Sequence, residues 1–147
     1  MNSTGKIKIA HFVRGYLHPT ETFVLNQINT LEEYEPVVIG HHLIENGLVS
    51  DKIIPIILIQ IIKGFKLFFQ KFYYKFFKAL ASTSALQIVD VLKINKVKLL
   101  HFHFLVDARF FLSVMKRYKV PAVVSAYGWD VSAFPNSMFG LGQKTQV

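Results

Sequence analysis

The stretch Lys6–Leu43, "KIKIAHFVRGYLHPTETFVLNQINTLEEYEPVVIGHHL", carries a strand, a loop, a helix and a second strand in that order. Residues Lys6–Val13 alternate and then turn apolar, as a buried strand does. Gly15 and Pro19 then break the pattern into a loop. Pro19, Thr20 and Glu21 supply a helix start, with an acid in the first turn. Val24, Ile28 and Leu31 recur at helical spacing to about Glu33. Pro36 ends that helix, and "VVIGHHL" reads as the next strand. This succession is a βαβ unit, which places its two strands parallel through a right-handed crossover.

The same alternation continues downstream. A helix over about Ser84–Lys93 carries Leu86, Val89 and Val91 or Leu92. Val97–Phe104 is a strand, Asp107–Tyr118 a helix and Val120–Tyr127 a further strand, followed by the loop "GWDVSAFPNS". The fold class is therefore α/β, a Rossmann-like three-layer domain with a mainly parallel sheet. The tail "MFGLGQKTQV" holds no clear element. Residues 1–147 thus read as a partial domain, cut within a larger one.

Composition narrows the class. The chain has 147 residues, 52% of them hydrophobic, enough for a substantial core and too many for disorder. It has no cysteine, so disulfides and thiolate metal sites are excluded. "MNSTGKIKIAHFVRG" lacks a signal-type apolar block, so a cytoplasmic chain is expected. Seventeen Lys and Arg against nine Asp and Glu leave a net charge of +8, which favours anionic partners.

Much of that charge falls in "IIPIILIQIIKGFKLFFQKFYYKFFKAL", predicted to be a helix over about residues 56–80. At 100° per residue, Ile61, Ile62, Phe65, Phe68, Phe69, Phe72 and Phe76 gather on one side. Lys63, Lys66, Lys71, Lys75 and Lys78 gather on the other, with Tyr74 among them. A basic, aromatic-rich amphipathic helix is the composition of an interfacial membrane segment. Its fully apolar part, near Ile53–Ile62, is too short to span a bilayer, which needs about 20 residues. The same pattern also fits a core helix with a solvated lysine face. An anionic membrane surface is the expected partner, at the inner face of the cell membrane, and nucleic acid is not.

"KLLHFHFLVDARFF", Lys98–Phe111, poses the chemical question. His101 and His103 share one strand face. Two imidazoles fall short of the three or four ligands that zinc takes, and Asp107 is expected at a helix start, so no metal is assigned. A metal-dependent hydrolase using His101 and His103 stands as an alternative. His11, His103 and Tyr127 lie near carboxyl ends of strands, where open α/β sheets bind ligands. His103 is thus expected in a cleft and His101 in the sheet interior. Asp130 follows in "AYGWDVS", where Gly128 lets the chain turn and the carboxylate can hold sugar hydroxyls or cap a turn. No phosphate loop is credible in "GLGQKT", and a single Gly15 in the first βα turn rules out a dinucleotide fingerprint.

Three segments carry a family resemblance. "GYLHPTETFVLNQINTLEEYEPVVIG", "HFHF" with its following helix, and "VPAVVSAYGWDVS" resemble, in order and spacing, the N-terminal half of retaining GT-B-fold glycosyltransferases that build bacterial polysaccharides. The resemblance covers most of residues 7–133. It implies an acceptor-side domain facing a C-terminal donor domain that this chain lacks. It implies sugar transfer to a lipid-linked or saccharide acceptor without a metal, no cofactor bound by this domain, and a nucleotide-sugar donor in the complete enzyme. The isolated residues are expected to be inactive; a non-catalytic membrane-docking module of the same fold is the alternative. Asp130 matches the family's aspartate by this resemblance, and with His103, chosen for its strand-end position, it is the expected catalytic pair. Gly15, Tyr16, Glu21, Thr22, Tyr127 and Gly128 take the acceptor side. Tyr127 stands where many relatives have histidine, and a phenol, with a reference pKa of about 10, is a poor base near neutrality.

Overall fold

The computed structural model describes residues 6–16, 18–44, 46–48, 53, 55–58, 64–128 and 130. Strand β1 (Ile7–Tyr16) leads through α1 (Thr22–Asn29) to β2 (Tyr34–Leu43). A short β3 (Pro55–Ile57) follows, then α2 (Phe65–Phe77) and α3 (Ser82–Ile94). Next come β4 (Leu99–Phe102), α4 (Leu105–Phe110), α5 (Leu112–Met115) and β5 (Ala122–Val124). The sheet runs β3-β2-β1-β4-β5, and every pairing is parallel. From β1 the chain winds outward to β2 and β3, then returns to β4 and winds the other way. The reversal lies between β1 and β4, the place where such sheets open a crevice at their carboxyl ends.

Alternation along β1 and β4 builds two cores. Ala10 and Phe12 face one way with Leu100 and Phe102, against Ala85, Ile88 and Leu92 of α3 and Phe110, Phe111 and Val114 beyond. Phe12 meets Phe102 at 4.6 Å and Phe111 at 4.8 Å between ring centroids, distances at which aromatic pairs attract. Val13 faces the opposite way and packs with Val38, Ile53, Ile57 and the buried stripe of α1, Val24 and Ile28. Helices on both faces of a parallel sheet make the three-layer domain that the sequence predicts.

Several boundaries differ from the sequence reading. Ile56 and Ile57, inside the helix expected from about residue 56, belong to β3, and Leu58 is helical; α2 starts at Phe65, after Gly64, whose φ of 62° suits glycine. Residues 59–63, Lys63 among them, lie outside the described residues. α2 ends when Lys78 turns left-handed with φ 49°, its N–H donating to Tyr74 O. The helix expected over Asp107–Tyr118 is two short ones, broken at Phe111. The adjacent rings of Phe110 and Phe111 are both buried in the core there, meeting edge to face at 4.8 Å.

The side of α2 that turns inward is not its phenylalanine face. Phe65, Phe68, Phe69, Phe72, Phe76 and Phe77 are all exposed, together with Lys66, Lys71, Lys75 and Lys78. Leu67, Gln70 and Tyr74 face the domain instead. Tyr74 packs against His41 and Phe110, with the Lys78 ammonium 5.2 Å from its ring centroid. Buried Gln70 accepts the Ala81 N–H at 2.8 Å and donates to Ala79 O at 3.4 Å, clamping the α2–α3 link. Among the described residues, no helix is long and apolar enough to cross a membrane.

Candidate functional site

The parallel register of β1 and β4 sets His11 beside His101. Residues paired in neighbouring strands share a face, so both imidazoles leave the sheet opposite Phe12 and Phe102. His103 follows two residues on, just past the end of β4. Its N–H bonds Phe12 O at 3.3 Å, which keeps it in line with the strand. The three rings gather with centroids 4.2 Å apart for His101–His103, 5.2 Å for His11–His101 and 5.3 Å for His11–His103. All three are buried; His11 and His103 are fully so, while His101 keeps 7% exposure.

Hydrogen bonds run outward from this cluster. His11 Nδ1 lies 3.0 Å from His103 Nε2, and His103 Nδ1 lies 3.4 Å from the Tyr127 hydroxyl. Tyr127 in turn donates to Gln27 Oε1 at 3.4 Å. His101 Nε2 lies 2.8 Å from Ser125 Oγ. One set of protons satisfies the chain end to end: His11 Nδ1–H to His103, His103 Nδ1–H to Tyr127, Tyr127 O–H to Gln27. His11 Nε2 remains buried without a hydrogen-bond partner.

Electrostatics follow from burial. Loss of water pushes His11 down to about 3, helped by the neighbouring His101 ring. Burial does the same to His103, to about 3, helped by His101 and His11. His101 is lowered by burial as well. At neutral pH the cluster is therefore three neutral imidazoles, each offering a lone pair. Burial raises the Tyr127 phenol; a hydrogen bond with Ser125 opposes this, while the Asp130 and Glu21 charges reinforce it. Tyr127 stays a phenol, able to donate and accept but not to act as a base.

The other predicted residues divide into those that join this crevice and those that build around it. Asp130 is buried, and its Oδ2 accepts the N–H groups of Leu105 at 3.2 Å and Tyr127 at 3.3 Å. It thus caps the start of α4 and closes the loop after β5, while Oδ1 meets no partner. Phe23 of α1 and Phe104 stand edge-on to Tyr127, at 4.7 and 5.0 Å between centroids. Glu21 sits at the cap of α1, and its carboxylate accepts the His18 N–H at 3.0 Å. Thr22 is the exposed first residue of α1. Gly15 pairs with His42, and a Cβ there would come within 2.5 Å of Ile44 Cδ1, so it is a close-packing glycine. Tyr16 ends β1 beside Leu43, and its side chain is outside the described set. Gly128 is not left-handed, and nothing approaches within 4 Å of the position a Cβ would take, so the sharp turn expected there is not what it provides.

Two expectations change. His103 was expected in the cleft; instead its ring is fully buried, and His101, expected in the interior, is buried as well with 7% exposure. Ligand counting on one strand found only two histidines, and the third, His11, comes from the neighbouring strand. Sequence reading also missed Gln27 and Ser125, whose roles arise only from tertiary placement. His41 and His42 stay apart from the cluster: His41 packs on Phe110 on the far face, and His42 is exposed.

No protein-family model matches the chain, and no curated protein matches it. A solved structure that it resembles is the C-terminal domain of a hydrogenase from Pyrococcus furiosus, at 15% identity and a TM-score of 0.46, over 82% of this chain and 92% of that one. The likeness concerns chain path and says nothing of chemistry.

Proposed function

We propose that this chain is the acceptor-side half of a retaining glycosyltransferase of the GT-B fold, serving cell-surface polysaccharide synthesis. One observation supports the reading above others. The three segments that carry the resemblance are far apart in sequence, yet Phe23, His103, Tyr127 and Asp130 meet at the carboxyl end of β1 and β4. In this reading the aromatic edges of Phe23 and Tyr127 flank a sugar ring. The Tyr127 hydroxyl, oriented by His103 and Gln27, exchanges hydrogen bonds with an acceptor hydroxyl. Asp130 holds the loop that presents it. The nucleotide sugar belongs to a second domain. The test is a radiolabelled transfer assay on the gene product that carries this chain, with nucleotide sugars and lipid-linked or saccharide acceptors. Tyr127→Phe should lower transfer about tenfold, the worth of one net hydrogen bond in the transition state. Absence of transfer from every nucleotide sugar would overturn the reading.

A second observation favours a membrane role at the inner face of the cell membrane. Six phenylalanines of α2 are exposed beside four lysines, and Phe65 reaches 80% exposure. Burying such rings in the headgroup region, with lysines facing anionic lipid, stabilises a peripheral complex. Flotation with anionic vesicles should recover the protein, and Phe72→Ser with Phe76→Ser should reduce recovery severalfold. Equal recovery with neutral vesicles and by the variant would count against docking through α2.

A further inference from the structure

We propose that His11, His101 and His103 form a three-histidine site for a divalent transition cation of the zinc class, with a fourth coordination position left open. This is independent of the glycosyltransferase reading, which assigns no metal here. Ring nitrogens, one from each residue, all lie within 4.8 Å of one another. Tetrahedral zinc with bonds of about 2.0–2.1 Å sets its nitrogens about 3.3–3.4 Å apart. His11 Nδ1 and His103 Nε2, at 3.0 Å, already stand near that spacing. The widest separation in the cluster must close by about 1.4 Å, within reach of small side-chain rotations on a fixed sheet.

Two further features fit a cation. Ligating histidines hold their outer ring nitrogen with a second group, which fixes ring orientation. The Tyr127 hydroxyl stands by His103 Nδ1, and it is itself bonded to Gln27. Ser125 Oγ stands by His101 Nε2. Both partners are placed for that role, with His103 binding through Nε2 and His101 through Nδ1. The second feature is a shared proton. His11 Nδ1 and His103 Nε2 are buried and face each other at 3.0 Å, so one proton serves two nitrogens, and a cation placed between them would bond both lone pairs. His11 would then bind through Nδ1, with its buried Nε2 still without a second group. The ligand set is nitrogen only and neutral. It suits zinc, copper, nickel or cobalt, and excludes magnesium and calcium, which take oxygen. Three protein ligands leave a place for water or a substrate oxygen.

The test uses the full chain, expressed without a polyhistidine tag, stripped with chelator and dialysed against micromolar ZnCl2. Elemental analysis should find one zinc per chain. Zinc at 100-fold excess over its Kd should raise the melting temperature by roughly 8 °C. His11→Asn and His103→Asn should each lose the zinc, while His42→Asn, at the exposed end of β2, keeps it. A second measurement needs no variant. On zinc addition, the imidazole 15N signals of His11, His101 and His103 should shift, and those of His18 and His42 should not. Substoichiometric zinc, or shifts confined to His18, His41 and His42, would overturn the proposal. Loss of transfer activity with intact zinc binding would leave this site standing and sink only the glycosyltransferase reading.

Discussion

Acidification should unfold this protein far sooner than its few carboxylates suggest, through two histidines. His11 and His103 are held near 3 in the folded chain against 6.5 when exposed. Above 6.5 both states are neutral and the residues cost nothing. Below it the unfolded chain gains protons that the folded chain refuses, so stability is present above 6.5 and lost as the pH falls toward 3. At pH 5.0 each histidine has lost about 2 kcal/mol, at about 1.36 kcal/mol per pH unit, and the pair about 4 kcal/mol. His101, lowered in the same direction, adds to this. A domain with roughly 5–15 kcal/mol of stability loses a large share of it. Urea unfolding of metal-free protein at pH 7.5, 6.5, 5.5 and 5.0 measures the effect. The free energy should be level near pH 7.5, then fall by up to about 2.7 kcal/mol per pH unit. The midpoint should drop by about 2 M if the denaturant slope is about 2 kcal/mol/M. His103→Phe should remove about half of the pH dependence, whatever it does to stability at pH 7.5. Level stability from pH 7.5 to 5.0, or an unchanged slope in both His11→Phe and His103→Phe, would refute the buried neutral cluster.

Three other substitutions probe the frame around the site. Gly15→Ala forces Ile44 Cδ1 away from a 2.5 Å approach and should cost about 1–3 kcal/mol by thermal denaturation, with much of the loss recovered by adding Ile44→Val. Gln70→Leu strands the Ala81 N–H, and a loss of about 1–3 kcal/mol is expected in the same assay, with faster amide exchange at the α2–α3 link. Asp130→Ala removes the acceptor shared by the Leu105 and Tyr127 N–H groups and should cost about 2–4 kcal/mol, whereas Asp130→Asn, which keeps an amide oxygen, should cost less; equal losses would mean that an acceptor oxygen without the charge does not hold the two N–H groups.

The layout was legible because the hydrophobic period switches between 2 and 3.6 along the chain, and those two periods separate strand from helix. Strand β3 was not, because Pro55–Ile57 lies inside a continuous apolar run that has no period. The amphipathy of α2 was legible, but not which side turns inward. Leu67, Gln70 and Tyr74 make a narrow seam that is less hydrophobic than the face left outside. The shared face of His101 and His103 follows from alternation within one strand. Their meeting with His11 depends on which strand lies beside which, and in what register, across 90 residues. That is tertiary information, which local pattern does not hold. Asp130 shows the same limit: its sequence position allows a ligand contact or a cap, and the two N–H groups it accepts reveal the cap.

The central placement of β1 sets a timetable for synthesis. Its first neighbour, β2, is complete by Leu43, but its second, β4, begins only at Leu99. At about 5–20 residues per second, roughly 3–11 s pass between the two on the ribosome. Throughout that interval one edge of β1, rich in Ile, Val and Phe, has no strand to bond. A long apolar edge of this kind invites pairing with other chains. The nascent protein is therefore most exposed to misassembly midway through translation, and a pause in the codons between β2 and β4 should lower the soluble yield more than an equal pause after Val124.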